Sequence, residues 1–205
     1  MSPRRRDAES TAAARAERRA ELLATAAEVF ASRGYAATTV REVAEAADML
    51  GGSLYYHFDS KESMVDEILT ALLTELWTAY DKVIGSALGT RETFQALITE
   101  SFRMIDRFRP AVVIYQNESK LLASNPRFSY LHGSRRRFRE MWMSVLEQGV
   151  TDGVFRADLD LGLLYRLTRD NVWLVANWYR GDGRLSAEEI AGQYTAMVLE
   201  GILRT

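Results

Sequence analysis

The chain has 205 residues, 47% hydrophobic and 26% charged, with a formal net charge of −2. That suits one large domain, or a small one fused to a medium one, with a substantial core, and it excludes bulk electrostatic coating of nucleic acid, leaving only local basic patches. With no cysteine and two histidines, His57 and His132, disulfides, thiolate nucleophiles, cysteine-ligated zinc and three-histidine metal sites are all excluded. No run of about 18 apolar residues occurs, and the arginine-led start continues into Ala, Glu and Arg without an apolar export segment. The expectation is a cytoplasmic protein with no membrane span, no metal and no cofactor.

Three prolines and thirteen glycines leave long stretches of helical periodicity, so an all-α fold of about nine helices is expected. Residues 1–14 read as a flexible basic arm. Its Arg4-Arg5-Arg6 run is either a solvated tail or a contact to DNA phosphates or the minor groove. A first helix over 15–33 puts Leu22, Leu23, Ala26, Ala27 and Phe30 on one face and meets Gly34, which suits a helix C-terminus. Thr39 followed by Glu42 is a capping box for a second helix of about eight residues. After a break at Asp48-Met49-Leu50, residues 51–57 form a third short helix, with Leu54 and Phe58 facing inward. Asp59 with Glu62 repeats the capping spacing before a long stripe of Met64, Ile68, Leu72, Leu76 and Tyr80, flanked by Val65, Leu69, Leu73 and Trp77.

Further helices are expected at 91–108, 110–123, 126–148, 160–179 and 186–203, with Pro110 and Pro126 marking starts and Ser186 with Glu189 a further capping box. The chain therefore divides into the arm, a head over 15–60 and a body over 61–205, with the fourth helix as the joint.

A long helix supporting two short ones across a tight break is the arrangement of a helix-turn-helix, whose second helix enters the major groove of duplex DNA. Gly51, Gly52, Ser53, Tyr55, Tyr56 and His57 on the third helix allow close backbone approach and offer neutral donors to phosphates. Thr39, Arg41 and Lys61 stand at helix starts where they can meet flanking phosphates. A head that only packs on the body is the bland alternative.

The residues Thr39-Val40-Arg41-Glu42-Val43-Ala44-Glu45-Ala46-Ala47, followed by Gly52-Ser53-Leu54-Tyr55-Tyr56-His57-Phe58-Asp59-Ser60-Lys61-Glu62, resemble the DNA-binding signature of the TetR family of bacterial transcriptional repressors. The resemblance implies a homodimer that binds a palindromic double-stranded operator and is released by a small-molecule inducer. Asp48, Leu50 and Gly51 stand where the family more often carries Gly, Ser or Thr, and a basic residue.

In the body, Tyr165, Arg169, Trp173 and Asn177 share one face of an otherwise apolar helix. A guanidinium there needs either a carboxylate from another helix or an anionic guest; the neighbouring Asp170 points about 100° away in an ideal helix. Tyr115, Phe102, Met104 and Phe108 are further candidate pocket walls, each of which reads equally as core. The Arg135-Arg136-Arg137 run with Arg139 is either a solvated helix start or a set of phosphate donors at a pocket mouth. Val113-Ile114-Tyr115-Gln116, Met141-Trp142, Arg169-Asp170 and Trp178-Tyr179-Arg180 are similar to the branch of the family that controls sterol degradation in actinobacteria. That resemblance adds Trp142 to the pocket and implies a coenzyme A thioester of a partly degraded steroid ring as inducer; another apolar ligand, a fatty acyl-CoA or a drug, is the alternative. For the dimer seam, the last two helices offer Leu174, Trp178, Ile190, Tyr194, Met197, Val198 and Ile202 as an intermolecular four-helix bundle. A hydrolase built on His132 with Ser129 or Ser134 lacks the strand-turn-helix setting such a nucleophile needs.

Overall fold

The computed structural model describes the backbone of residues 3–202 and the side chains of 13–202. Its helices are α1 (Pro3–Arg33), α2 (Val40–Ala46), α3 (Gly51–Leu54), α4 (Lys61–Ile84), α5 (Thr90–Leu122), α6 (Tyr130–Thr151), α7 (Leu161–Leu174) and α8 (Ala187–Ile202), with 3-10 turns at Pro126–Phe128 and Val175–Asn177. No strand occurs among the described residues, so the chain is all-α as expected. None of these helices is long and apolar enough to cross a membrane. Contacts divide the chain into two units, one ending at Thr70 and the other beginning at Ala71, and α4 supplies residues to both.

The count falls to eight α-helices because the two expected at 91–108 and 110–123 merge into α5, which bends at Phe108 (φ −127°, ψ 29°) two residues before Pro110. Proline has no N–H to give and its ring crowds the preceding turn, so the helix must break locally before it resumes. At the other end, α1 begins at Pro3 rather than near residue 15. The expected arm is thus helical in backbone, consistent with its alanines, strong helix formers; the side chains of Arg4, Arg5 and Arg6 lie outside the described residues. The helix expected at 160–179 stops at Leu174 and tightens into the 3-10 turn Val175–Asn177, where the 3.6-residue repeat no longer holds.

In the first unit, Leu22, Ala26 and Phe30 of α1 bury against Val43 and Ala44 of α2 and Leu54 of α3, with Phe58, Met64, Val65 and Leu69 completing the core. Gly34 takes φ 86° just past α1, the left-handed conformation that glycine adopts without strain. The start of α4 is capped one residue later than its spacing suggested. Ser60 and Ser63 exchange backbone-to-hydroxyl bonds of 3.1 and 3.2 Å, whereas Glu62 accepts from the Tyr35 hydroxyl at 2.7 Å. A hydroxyl on a short stem reaches the free N–H groups without tying up the carboxylate.

The second unit is built around α5, which packs against α6, α7, the Val175–Asn177 turn and α8. Its core is aromatic: Phe94 meets the Trp142 and Phe155 rings edge-on with centroids 5.7 Å apart in both pairs, and Tyr80 and Phe138 join Trp142 at 6.5 and 6.2 Å. Such pairs contribute about 0.5–1.5 kcal/mol each beyond the area they bury. The fully buried Tyr80 hydroxyl donates to Ser101 at 2.5 Å, Ser101 donating in turn to the Leu97 carbonyl at 2.7 Å, and burial pushes that phenol far above its ordinary range. α8 starts on the expected capping box, with Ser186 N–H donating to Glu189 at 2.8 Å and Glu189 N–H donating back at 3.2 Å.

Gly149 on α6 lies directly under Phe155, and a Cβ there would sit 2.1 Å from the ring. A ring that is 2% exposed has nowhere to retreat. Gly149→Ala should therefore cost about 1–3 kcal/mol, the overpacking range, and urea unfolding followed by far-UV circular dichroism should show a lowered midpoint.

Candidate nucleic-acid interface and ligand cavity

In the first unit, α2, a turn and α3 form the helix-turn-helix. The Thr39 hydroxyl accepts from the Glu42 N–H at 3.3 Å, and the Glu42 carboxylate accepts from the Thr39 N–H at 2.8 Å. The Thr39 N–H and the Thr39 hydroxyl, which also donates to the Glu42 carboxylate at 2.9 Å, hold that carboxyl below its usual range, helped by Arg33 at 3.0 Å. Between the helices, Asp48 has φ 55°, a left-handed conformation that Asp tolerates better than most residues but that glycine takes more cheaply. Leu50 occupies the N-cap of α3 with no side-chain cap bond and is 82% exposed. The missing hydroxyl noted in the sequence is thus a missing hydrogen bond in the fold.

The expected third helix is shorter than predicted. α3 ends at Leu54, and Tyr55, Tyr56 and His57 continue as a turn whose N–H groups bond back to Ser53 and Leu54. Thr39, Arg41, Gly52, Tyr55 and Tyr56 are exposed, Tyr56 at 91%, while Gly51, Ser53 and His57 are half-buried. A Cβ on Gly51 or Gly52 would meet nothing within 4 Å. Protein packing does not require glycine at either position, and both leave room for close approach of a duplex. Arg41 pairs with Glu45 at 2.8 Å, and both side chains are largely exposed, so the pair holds the guanidinium only weakly.

Lys61, expected to meet a flanking phosphate, has partners within the first unit. Its Nζ donates to the carbonyls of Tyr35 and Thr38 at 2.8 and 2.9 Å and lies 4.3 Å over the Tyr35 ring. Two of its three N–H groups are thereby committed to the loop after α1. Arg19, which sequence reasoning missed, plays a matching part: it donates to the His57 carbonyl, pairs with Glu67 and lies 4.2 Å over Phe58. No spacing rule links residues so far apart in sequence.

The second unit contains a cavity of about 740 Å³, lined from α4 by Leu72, Leu73 and Leu76, from α5 by Tyr115, Gln116, Ser119 and Lys120, from α6 by Ser134, Arg135, Arg136, Phe138 and Arg139, and from α7 by Tyr165, Arg169, Asp170 and Trp173. This is the size of a pocket for a drug-sized ligand. Of the sequence candidates it gathers Tyr115, Tyr165, Arg169 and Trp173. Phe102 packs instead on Tyr194 with centroids 6.0 Å apart, Met104 and Trp142 are buried in the core, Phe108 forms the bend of α5, and Asn177 is exposed on the turn beyond α7. None of these five lines the cavity. Burial pushes the Tyr115 and Tyr165 phenols up. Despite the ~100° separation of neighbours on an ideal helix, Asp170 reaches Arg169, accepting from Nε and Nη2 at 2.7 Å each.

On α7 and α8, a shallower groove of about 340 Å³ runs past Leu163, Leu167, Tyr194, Met197 and Val198. Leu174, Trp178 and Met197 are 53%, 61% and 66% exposed, an apolar strip unusual on a lone surface. Ile190, Tyr194 and Val198 are half-buried. Ile202, expected on the seam, is only 4% exposed and belongs to the groove's floor. No cluster of potential metal ligands occurs among the described residues.

The chain matches "Bacterial regulatory proteins, tetR family" over residues 22–68 and "Tetracyclin repressor-like, C-terminal domain" over residues 87–202. It is 51% identical over 185 residues to the HTH-type transcriptional repressor KstR2 of Rhodococcus jostii, covering 90% of this chain and 91% of that protein. To KstR2 of Mycobacterium tuberculosis it is 48% identical over 187 residues, covering 91% and 94%. A solved structure described as the ketosteroid transcriptional regulator KstR2 of Mycobacterium tuberculosis superposes with a TM-score of 0.89 at 47% identity, over 92% of this chain and 96% of that one.

Replacing Lys61 tests the role that its two carbonyl bonds imply. Lys61→Ala should lower stability by about 1.5–3 kcal/mol, the range for hydrogen bonds to charged groups. The salt dependence of duplex binding should change by much less than the ~0.9 unit that one lost phosphate contact removes. Thermal unfolding and a salt series of anisotropy titrations check the two halves.

Proposed function

The chain belongs to the TetR family of helix-turn-helix transcriptional repressors, and from that premise we propose that it is a cytoplasmic homodimer that holds a palindromic operator and releases it when a coenzyme A thioester of a partly degraded steroid ring fills its cavity. The observation that carries this reading is the lining itself. Leu72, Leu73, Leu76, Phe138 and Trp173 offer an apolar wall, while Lys120, Arg135, Arg136, Arg139 and Arg169 bring five cations to the same space. A ligand matching both must join a flat apolar body to several negative charges. The relative described as a ketosteroid transcriptional regulator supports a steroid ring as the apolar body.

Two recognition helices related by a two-fold axis need an inverted repeat, and the strip on α7 and α8 is the surface that supplies the axis. Val198→Asp, which places a charge in that strip, should give monomers at micromolar concentration in sedimentation velocity and lose operator binding.

Release requires the ligand to prefer the conformation that no longer fits the operator, since equal affinity for both shifts nothing. α4 runs from the cavity residues Leu72, Leu73 and Leu76 back to Lys61 in the first unit, so a displacement of its cavity end is carried along one continuous helix. Arg169→Met should leave operator affinity within about a few fold while abolishing release by the thioester. Gel-shift titration of the variant with and without the thioester is the check. Loss of operator binding without ligand would instead make Arg169 a structural residue.

A further inference from the structure

We infer that Asp170 is a built-in competitor for the ligand's anionic group and sets the concentration at which the inducer acts; this rests on reading the cavity as an anion-accepting site. Among the described residues, Asp170 is the one carboxylate in a lining that carries Lys120, Arg135, Arg136, Arg139 and Arg169. Its Oδ1 takes both Nε and Nη2 of Arg169 at 2.7 Å, which is the donor edge that a carboxylate or phosphate would use. An incoming anion must therefore displace Asp170 or share its donors against like-charge repulsion.

A carboxylate beside an arginine serves in one of two ways: it aims the guanidinium, or it occupies it. Two observations favour occupation. The Arg169 guanidinium also lies 5.4 Å from the centre of the Tyr165 ring, which holds it over the cavity wall without Asp170. The two side chains are 39% and 59% exposed, so the pair is weak enough to be exchanged for a guest. A site of five cations with no internal anion would fill with any small polyanion. With Asp170 in place, only a guest that adds apolar contact against Phe138 and Trp173 opens the pair.

The test compares Asp170→Asn, an isosteric change at a half-exposed position, with the wild type as full-length dimer. Release from operator DNA is titrated with a steroid-ring acid CoA thioester and with free coenzyme A, and binding of each without DNA is measured by calorimetry. The inference expects the thioester midpoint to fall about two- to five-fold, with a larger relative gain for free coenzyme A, which lacks the apolar body. An unchanged or raised midpoint, with the wild type still released by the thioester, overturns the inference and makes Asp170 a positioning residue. If the thioester releases neither protein but free coenzyme A binds the variant more tightly, the competitor role stands and the inducer assignment falls. If coenzyme A binds both equally, the competitor role falls as well.

Discussion

Pro110 cannot donate the hydrogen bond that an unbroken α5 would require, and the arrangement of the second unit follows from that defect. Before the bend at Phe108, α5 presents Phe102 to Tyr194 and Arg103 to Glu188, both on or beside α8. After it, the same helix turns Tyr115, Gln116, Ser119 and Lys120 toward the cavity. A straight helix keeps one stripe of residues on one side throughout its length; a broken one serves two partners. The bend is fixed from outside as well. Asp106 accepts from the Tyr179 hydroxyl at 2.5 Å, and burial together with that carboxylate pushes the phenol up to about 12.

The cavity is costly in a unit whose core is otherwise close-packed, with Gly149 giving up its side chain so that Phe155 can pack. Space of this kind forfeits dispersion contacts along its walls, and the clustered guanidiniums repel one another across it. Ser119 accepts from Arg135 and Asp81 from Arg137, which also stacks 4.1 Å over Trp77. These local bonds anchor two of the α6 arginines, of which Arg135 lines the cavity.

Much of this was legible in the sequence because it depends on short-range rules. The capping boxes at Thr39 with Glu42 and at Ser186 with Glu189 form as their spacing predicts, and Tyr165, Arg169 and Trp173 share a wall because a helix repeats every 3.6 residues. The misreadings arise where a local rule has a competitor. Asp59 with Glu62 matches the capping pattern, but Ser60 one residue on has the shorter reach, and Tyr35 claims Glu62. Asn177 continues the i, i+4 series, but the helix has already tightened into a 3-10 turn. Phe102, Met104 and Trp142 are large and apolar in the right region, yet composition does not tell a cavity wall from the core behind it. Lys61 and Arg19 bond to carbonyls distant in sequence, for which no pattern exists.

Three of the four tryptophans share the Phe138 ring as a neighbour, Trp142 from the aromatic core, Trp77 from under a guanidinium and Trp173 from the cavity wall, while Trp178 stands apart on the exposed strip of the α7–α8 region. Indole emission shifts with polarity and is quenched by contact with neighbouring groups, so the chain carries its own optical probes of the core, the cavity wall and the exposed strip. Single-tryptophan variants would separate the signals and allow each region to be followed without an attached dye.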